Sequence, residues 1–263
     1  MKPHRTLEGR RYLLTGASAG LGGEMARQLT EEHGCHVLAV ARRADRLADL
    51  SSTSPNITAC PADVATGDGR AEIVRTCETW PLDGIILNAA ITHLTPFEDA
   101  DLAIYDRMLD VNVKANLALI QALLPHLEDR PGGADIFLVA SLGGLTPAPY
   151  QAVYSGTKAF LVNFGLSLRE ELKARNIAVT VLCPGGIKTE MTDIEAMKGL
   201  ESGMEPADRI ARLAIKALKS RRDLAVPGLM AKTSAALAKW LPRRLVAGVT
   251  GRAYRSSMEA AQD

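Results

Sequence analysis

The sequence has few cysteines and no excess of charge of either sign. Its four cysteines, Cys35, Cys60, Cys77 and Cys183, are scattered without a C-x-x-C pair, a spacing that disfavours disulfides and metal ligands. Lys and Arg number 31 against 30 Asp and Glu, so no global field attracts nucleic acid. We therefore expect buried free thiols in a reducing cytoplasm, no metal ion and no nucleic-acid partner.

Long apolar runs are absent too. Nowhere do about 18 apolar residues follow one another, as a membrane span requires, and residues 1–10 lack the apolar core of a signal peptide. The sequence predicts neither secretion nor a span. Its 263 residues, 47% of them hydrophobic, suit a single α/β unit, which we place at residues 1–227.

Short apolar runs recur along the chain, separated by amphipathic stretches of helix length. They cover residues 11–15, 36–41, 57–60, 84–87, 135–140 and 177–183. Alternating strands and helices are typical of βαβ units, whose right-handed crossovers stack helices on both faces of a parallel sheet. The sequence therefore predicts a Rossmann-like, doubly wound α/β fold of about seven strands.

A glycine-rich turn follows the first strand. Thr15 leads into Gly16, Gly20 and Gly22 in the order T-G-x-x-x-G-x-G, and a helix is expected over Glu24–Glu32. Such a turn lets a pyrophosphate approach the backbone and face the helix N–H groups. It predicts a dinucleotide site, although a tight structural connection would use similar residues.

The end of the second strand distinguishes between the two nicotinamide dinucleotides. An acidic residue there would hold the ribose 2′-hydroxyl of NAD, but the chain has Arg42 and Arg43. Two guanidinium groups can bind a 2′-phosphate, which favours NADP(H), with Arg42 as the first choice. The alternative is that both are solvated charges at a helix start.

Tyr154 and Lys158 are four residues apart on a helix expected to run to about Arg175, so they share one face. A nearby ammonium favours the phenolate and is expected to lower the pKa of Tyr154 from its usual value of about 10. General acid–base catalysis near neutral pH then becomes feasible. Alone, this spacing is common on ordinary helices, where Tyr packs and Lys is solvated.

Several motifs in order show that residues 9–227 resemble the short-chain dehydrogenase/reductase family in its single-domain form. The glycine turn matches the family's, and Asp63-Val64 is similar to its adenine-contacting pair. Leu87-Asn88-Ala89-Ala90 looks like its Asn-Asn-Ala-Gly strand end, with Ala90 where the family has glycine.

The resemblance implies roles for individual side chains. Ser141 would hydrogen-bond the reacting carbonyl, Tyr154 would exchange the proton, Lys158 would hold the nicotinamide ribose, and Asn112 would hold a proton-relay water. With the two arginines, the expected cofactor-binding residues are Gly16, Ser18, Gly20, Leu21, Gly22, Arg42, Arg43, Asp63, Val64, Asn88, Ala89, Tyr154, Lys158, Pro184, Gly185, Ile187 and Thr189. The implied reaction is hydride transfer between NADP(H) and a carbonyl or alcohol.

Loops after the later strands are expected to bind the substrate. They cover residues 91–97, 142–151 and 191–204 and are mostly apolar, which favours a lipophilic ketone or aldehyde. The last is expected to be a lid, with Met191, Ile194, Met197, Leu200 and Met204 as its apolar residues.

Residues 228–263 are expected to form a basic, amphipathic, helical extension. Six basic residues and no acidic one lie between Gly228 and Met258. Two interpretations remain open. The tail is a surface helix on an anionic membrane with Trp240 at the interface, or it packs over the substrate pocket or a partner subunit. The resemblance implies a homodimer or homotetramer.

Other functions remain as alternatives. The fold could serve as a non-catalytic NADP(H) sensor, or the enzyme could be an NAD-dependent alcohol dehydrogenase. A nucleotide-sugar epimerase is disfavoured by the glycine spacing, and a hydrolase by the lack of Gly-x-Ser-x-Gly around Ser141.

Overall fold

The protein folds around one parallel sheet. The computed structural model describes residues 5–193 and 195–260. The strands are β1 (Arg11–Thr15), β2 (His36–Ala41), β3 (Ile57–Pro61), β4 (Gly84–Leu87), β5 (Ala134–Val139), β6 (Ile177–Leu182), β7 (Ile187–Lys188), β8 (Glu205–Pro206) and β9 (Leu224–Ala225). Seven of them form the main sheet, in the order β3-β2-β1-β4-β5-β6-β9, while β7 and β8 pair separately.

Helices cover both faces of this sheet. They are α1 (Gly20–Glu31), α2 (Ala44–Ser52), α3 (Gly67–Glu78), α4 (Leu102–Leu109), α5 (Ala115–Leu123), α6 (Ala152–Leu172), α7 (Ala207–Lys219), α8 (Leu229–Trp240) and α9 (Arg243–Glu259). The apolar core on one face includes side chains of α1, α2 and α7. The core on the other includes side chains of α3, α5 and α6. The predicted doubly wound fold is therefore confirmed.

The strand runs were predictable because central parallel strands are buried on both faces and so are apolar throughout. All residues of β4 and β5 are buried. Three strands have the predicted bounds, two differ by one residue at one end, and β5 differs by one residue at both ends. Helix α1 is the larger error, because it begins at Gly20 rather than Glu24. Gly20 and Gly22 of the glycine-rich turn thus lie in the first turn of the helix.

The strand order reverses beside β1, which lies between β2 and β4. At such a switch point the connections leave in opposite directions and open a crevice at the carboxyl ends of the strands. The segments that follow β1, β4, β5 and β6 therefore meet at one edge of the sheet.

The four cysteines are buried and free, as the sequence predicts. Burial raises the pKa of the Cys35, Cys77 and Cys183 thiols to about 12. Within residues 5–193 and 195–260, no cluster of His, Cys, Asp and Glu could hold a metal ion. No described helix combines the length and the apolar character that a membrane crossing needs.

Candidate active site

A cleft of about 660 Å³ opens at the carboxyl edge of the sheet. It collects predicted residues from segments far apart in the chain. The predicted residues that line it are Gly16, Ser18, Gly20, Leu21, Arg42, Arg43, Asp63, Val64, Asn88, Ala89, Ser141, Tyr154, Lys158, Pro184, Gly185, Ile187 and Thr189. The two others, Gly22 and Asn112, lie behind its wall and support it.

The glycine turn is packed too closely for side chains. Gly16 has a φ of +71°, and a Cβ there would lie 2.9 Å from Ala89 Cα and Asn88 Nδ2. A Cβ on Gly22 would lie 2.2 Å from the carbonyl oxygen of Gly16. Since real side chains cannot approach so closely, the turn keeps its shape only with glycine at both positions.

Asn88 holds this turn from the end of β4. Its Nδ2 donates to the carbonyl oxygens of Thr15 at 3.0 Å and Gly16 at 3.2 Å. The backbone N–H groups of Asn88 and Ala89 both donate to Thr15 Oγ1 at 3.1 Å. Ala90, which replaces the glycine of the motif, has no positive φ. Its Cβ therefore introduces no left-handed strain.

The two arginines lie side by side at the outer end of the cleft. Arg43 donates to Ser18 Oγ from Nε at 3.3 Å and from Nη2 at 3.2 Å. Its Nη1 donates to Glu190 at 2.8 Å. The sequence placed Arg42 first, whereas it is Arg43 that contacts the glycine turn. Glu190 was missed, because no motif marks it.

The tyrosine and lysine lie one turn apart at the start of α6. Lys158 is only 2% exposed, and its Nζ donates to the carbonyl oxygen of Val139 at 2.8 Å. The same Nζ lies 5.6 Å from the centre of the Tyr154 ring. The expected shared face is therefore observed, with the ammonium beside the ring.

Ser141 is held against α6 by the short helical turn Leu142–Gly144. Its Oγ accepts a hydrogen bond from the N–H of Gly143 at 3.1 Å. A Cβ on Gly144 would lie 2.7 Å from the carbonyl group of Lys158, so glycine lets the turn touch the helix. This contact brings the Ser141 hydroxyl to Tyr154, where their hydrogen bond favours the phenolate.

The expected lowering of the tyrosine pKa is wrong for the protein alone. Burial raises the pKa of Tyr154 to about 12, and the hydrogen bond with Ser141 offsets only part of this. Burial also lowers the pKa of Lys158 from 10.5 to about 8. Desolvation therefore outweighs the attraction between phenolate and ammonium that the sequence suggested.

Asn112 lies in the π-helical turn Asp110–Lys114 between α4 and α5 and is fully buried. Its Oδ1 accepts from the N–H of Ile91 at 2.9 Å, and its Nδ2 donates to the carbonyl oxygen of Ile91 at 2.9 Å and to Thr157 Oγ1 at 3.2 Å. It thus joins the segment after β4 to α6 next to Lys158. The predicted role of Asn112, which is to hold a proton-relay water, stays a prediction.

Helix α9 covers part of the cleft. Thr250, Ala253 and Tyr254 line it, and Thr250 Oγ1 donates to the carbonyl oxygen of Pro147 at 3.2 Å. Packing over the pocket, one of the two interpretations of the tail, is confirmed for this helix. The sequence missed these residues because an amphipathic pattern does not say what lies beneath it.

The expected lid is a 3₁₀ helix, Glu195–Gly203, that packs against α9. Ser257 of α9 donates to the carbonyl oxygen of Ala196 at 2.8 Å. Met191, Met197, Leu200 and Met204 line the cleft, whereas Ile194 lies outside the described residues.

The buried ammonium predicts a pH dependence of stability. Because the pKa of Lys158 is lower in the folded chain, the unfolded chain binds more protons between the two values and stability rises with pH there. Relative to Lys158→Met, the wild type should gain about 2 kcal/mol in free energy of unfolding between about pH 7 and about pH 9.5. Urea denaturation at both pH values measures this, and parallel profiles would contradict it.

The chain is similar to known proteins in sequence and in fold. Residues 10–198 match the family model for short chain dehydrogenases. The chain is 31% identical over 224 residues to the ketoacyl reductase HetN of Nostoc, covering 82% of this chain and 77% of that protein.

Two solved structures are similar in fold and sequence. A 3-ketoacyl-(acyl-carrier-protein) reductase from Brucella melitensis complexed with NADH has a TM-score of 0.77 and 25% identity, covering 84% of this chain and 97% of its own. A short chain dehydrogenase from Burkholderia cenocepacia in complex with NADP has a TM-score of 0.75 and 27% identity, covering 85% and 98%. The chain therefore belongs to the short-chain dehydrogenase/reductase family of oxidoreductases.

Proposed function

We propose that the protein is an NADP(H)-dependent oxidoreductase that transfers a hydride between the nicotinamide and a carbonyl or secondary alcohol. One observation carries this proposal: Ser141, Tyr154 and Lys158 converge in the same cleft as the glycine turn and the two arginines. The intact trio argues against a non-catalytic sensor.

Side chains of the protein would carry out the proton transfer. In reduction, Ser141 holds the carbonyl oxygen and Tyr154 gives it a proton as the hydride from the bound dinucleotide reaches the carbon; oxidation reverses both transfers. The raised pKa of Tyr154 keeps the phenol protonated at neutral pH, as reduction requires. In oxidation, the Lys158 ammonium would favour the phenolate, and a bound oxidised nicotinamide would add positive charge beside it.

The cleft fits a dinucleotide along its length. The cradle formed by Gly16 and Gly20 has no room for side chains and would take the pyrophosphate, with Leu21 beside it and Gly22 behind. Asp63 and Val64 would border the adenine, and Asn88 and Ala89 the ribose beyond. Pro184, Gly185, Ile187 and Thr189 would hold the nicotinamide end.

The 2′-phosphate would lie between Arg42, Arg43 and Ser18. Arg43 already donates to Ser18 Oγ, so a guanidinium and a hydroxyl are joined where a phosphate could accept from both. The NADP-bound Burkholderia protein is consistent with this choice, while the NADH-bound Brucella protein makes NAD the alternative.

The substrate is proposed to be a lipophilic ketone or aldehyde. The end of the cleft beyond Tyr154 is lined by Met191, Met197, Leu200 and Met204 together with Ala253. Thioethers and aliphatic groups adapt to apolar ligands of varied shape. The relation to a ketoacyl reductase of Nostoc is in keeping with an acyl ketone.

The tail surface is proposed to bind an anionic membrane peripherally. Its large apolar side chains are exposed on α8, the following turn and the start of α9: Leu229, Met230, Leu237, Trp240, Leu241, Leu245 and Val249. Trp240 is 89% exposed, and the interleaved Lys232, Lys239, Arg243 and Arg244 are exposed as well. Apolar and basic groups on one surface suit a headgroup interface.

Three further expectations remain proposals. Residues 1–227 would form the catalytic unit and residues 228–263 its helical extension, since β9 ends the sheet at Ala225. A homodimer or homotetramer would form, as the family resemblance implies. A cytoplasmic location would suit the four free cysteines.

Tyr154→Phe tests the chemistry. The variant should keep its NADPH affinity and lose at least about a hundredfold in turnover, because the phenol acts in the transition state. Steady-state rates and calorimetric titration measure the two quantities. The control is Tyr254→Phe, a second tyrosine lining the cleft, which should retain most of its turnover; equal losses in both would refute the assignment.

Arg42→Ala and Arg43→Ala test the cofactor preference. Each should weaken NADPH binding by about tenfold, the value of a charge-assisted hydrogen bond, and leave NADH binding within about twofold. Arg27→Ala, on the outside of α1, controls for the change in net charge. If the variants lose affinity for NADPH and NADH equally, the arginines do not recognise the 2′-phosphate.

Vesicle sedimentation tests the membrane surface. The protein should pellet with phosphatidylcholine vesicles containing about 30% phosphatidylserine and not with phosphatidylcholine alone. Arg243→Gln/Arg244→Gln should weaken binding by about tenfold or more, while the control Lys173→Gln/Arg175→Gln at the end of α6 should not. Concentration-dependent dimerisation through Trp240 without pelleting would assign the surface to a second copy instead.

A further inference from the structure

Glu190 connects the two sides of the cleft at its outer end. Its Oε2 accepts from Arg43 Nη1 at 2.8 Å and its Oε1 from Arg46 Nη1 at 2.5 Å. The arginines belong to the start of α2, whereas Glu190 follows β7 and precedes the substrate-side segment. One carboxylate thus bridges two guanidinium groups from the cofactor side.

The backbone around Glu190 is well fixed. Thr192 Oγ1 donates to the carbonyl oxygen of Ile187 at 2.7 Å, and the N–H of Asp193 donates to that of Thr189 at 3.0 Å. Thr189 also lies against the glycine turn, since a Cβ on Gly20 would be 2.9 Å from its Cγ2. A hydrogen-bonded turn therefore holds the Glu190 carboxylate near Ser18 and Arg43.

Glu190 carries a negative charge that its two arginine partners stabilise. The two guanidinium groups hold the pKa of Glu190 below its ordinary value, so the carboxylate is charged at neutral pH. Its Oε2 accepts from the same Arg43 guanidinium that contacts Ser18 Oγ. An anion arriving at Ser18 and Arg43 would therefore meet a negative charge already bound there.

We propose that Glu190 is a cofactor-specificity residue that competes with the 2′-phosphate for Arg43. When a 2′-phosphorylated nucleotide binds, the Arg43–Glu190 ion pair breaks, or the Arg43 guanidinium contacts the carboxylate and the phosphate together. Glu190 thereby weakens the binding of nucleotides that carry a 2′-phosphate and leaves the binding of other nucleotides unchanged. The inference rests on the proposed binding of the 2′-phosphate between Ser18 and the arginines. Glu190 would therefore weaken the binding of the 2′-phosphate that the arginines strengthen.

The test compares two probes that differ only in the 2′-phosphate, adenosine 2′,5′-bisphosphate and adenosine 5′-monophosphate, by calorimetric titration of the full chain. Glu190→Gln should tighten binding of the bisphosphate by about three- to tenfold, as expected for removing the exposed ion pair that competes for Arg43 and one like-charge repulsion. Binding of the monophosphate should not change. The control is Asp193→Asn, which removes the same charge from an exposed position in the same turn and should shift bisphosphate binding by less than about twofold.

The outcomes separate the two proposals. If the wild type prefers the bisphosphate but Glu190→Gln leaves its affinity unchanged, or shifts it no more than Asp193→Asn does, the competition is refuted and the proposed cofactor stands. An equal gain for the monophosphate would likewise refute the specificity role. If the wild type binds both probes equally, the proposed 2′-phosphate site fails, and the role of Glu190 with it.

Discussion

The site depends on a positive charge buried inside the protein. Lys158 is almost fully removed from water, and the carbonyl oxygen of Val139 at the end of β5 accepts a hydrogen bond from its ammonium. A buried charge is costly unless polar groups compensate for it. The fold accepts this cost at the carboxyl edge of the sheet, where the ammonium lies beside the Tyr154 ring. The lowered pKa of Lys158 and the raised pKa of Tyr154 express the same desolvation.

Glycine is the second constraint, because it lets separate segments touch. Gly16 and Gly22 let the first turn pack against Asn88, and Gly144 lets the Ser141 turn rest on α6. Gly165 lets α6 approach the sheet, since a Cβ there would lie 2.4 Å from Val181 Cγ2. The residues proposed to act in catalysis and in cofactor binding therefore meet through close backbone contacts that larger residues would separate.

The sequence predicted what is local and repetitive. Buried parallel strands are apolar throughout, so most strand bounds followed from composition, and the glycine turn and the Tyr154–Lys158 spacing followed from motifs. It did not predict that desolvation would outweigh the ammonium in setting the pKa of Tyr154. It also missed Glu190 and Tyr254, whose positions depend on how distant segments pack. Tertiary contacts of that kind leave no periodic signal.

The C-terminal tail has two different surfaces. Helix α9 lines the cleft with Thr250 and Tyr254, whereas α8 and the turn after it expose Trp240 and Leu241. A lipophilic substrate would thus be enclosed by the same extension that carries the proposed membrane surface. The two arginines, where the 2′-phosphate is proposed to bind, lie just before α2.

The most direct measurement follows the hydride itself. NADPH deuterated at the transferred position of the nicotinamide is incubated with a panel of ketones, aldehydes and 3-oxoacyl thioesters, and the alcohols are analysed by mass spectrometry. We expect that at least one carbonyl compound, a lipophilic one, is reduced with deuterium bound to the former carbonyl carbon. Oxidation of NADPH without deuterium in any alcohol, or no oxidation across the panel with either NADPH or NADH, would contradict it.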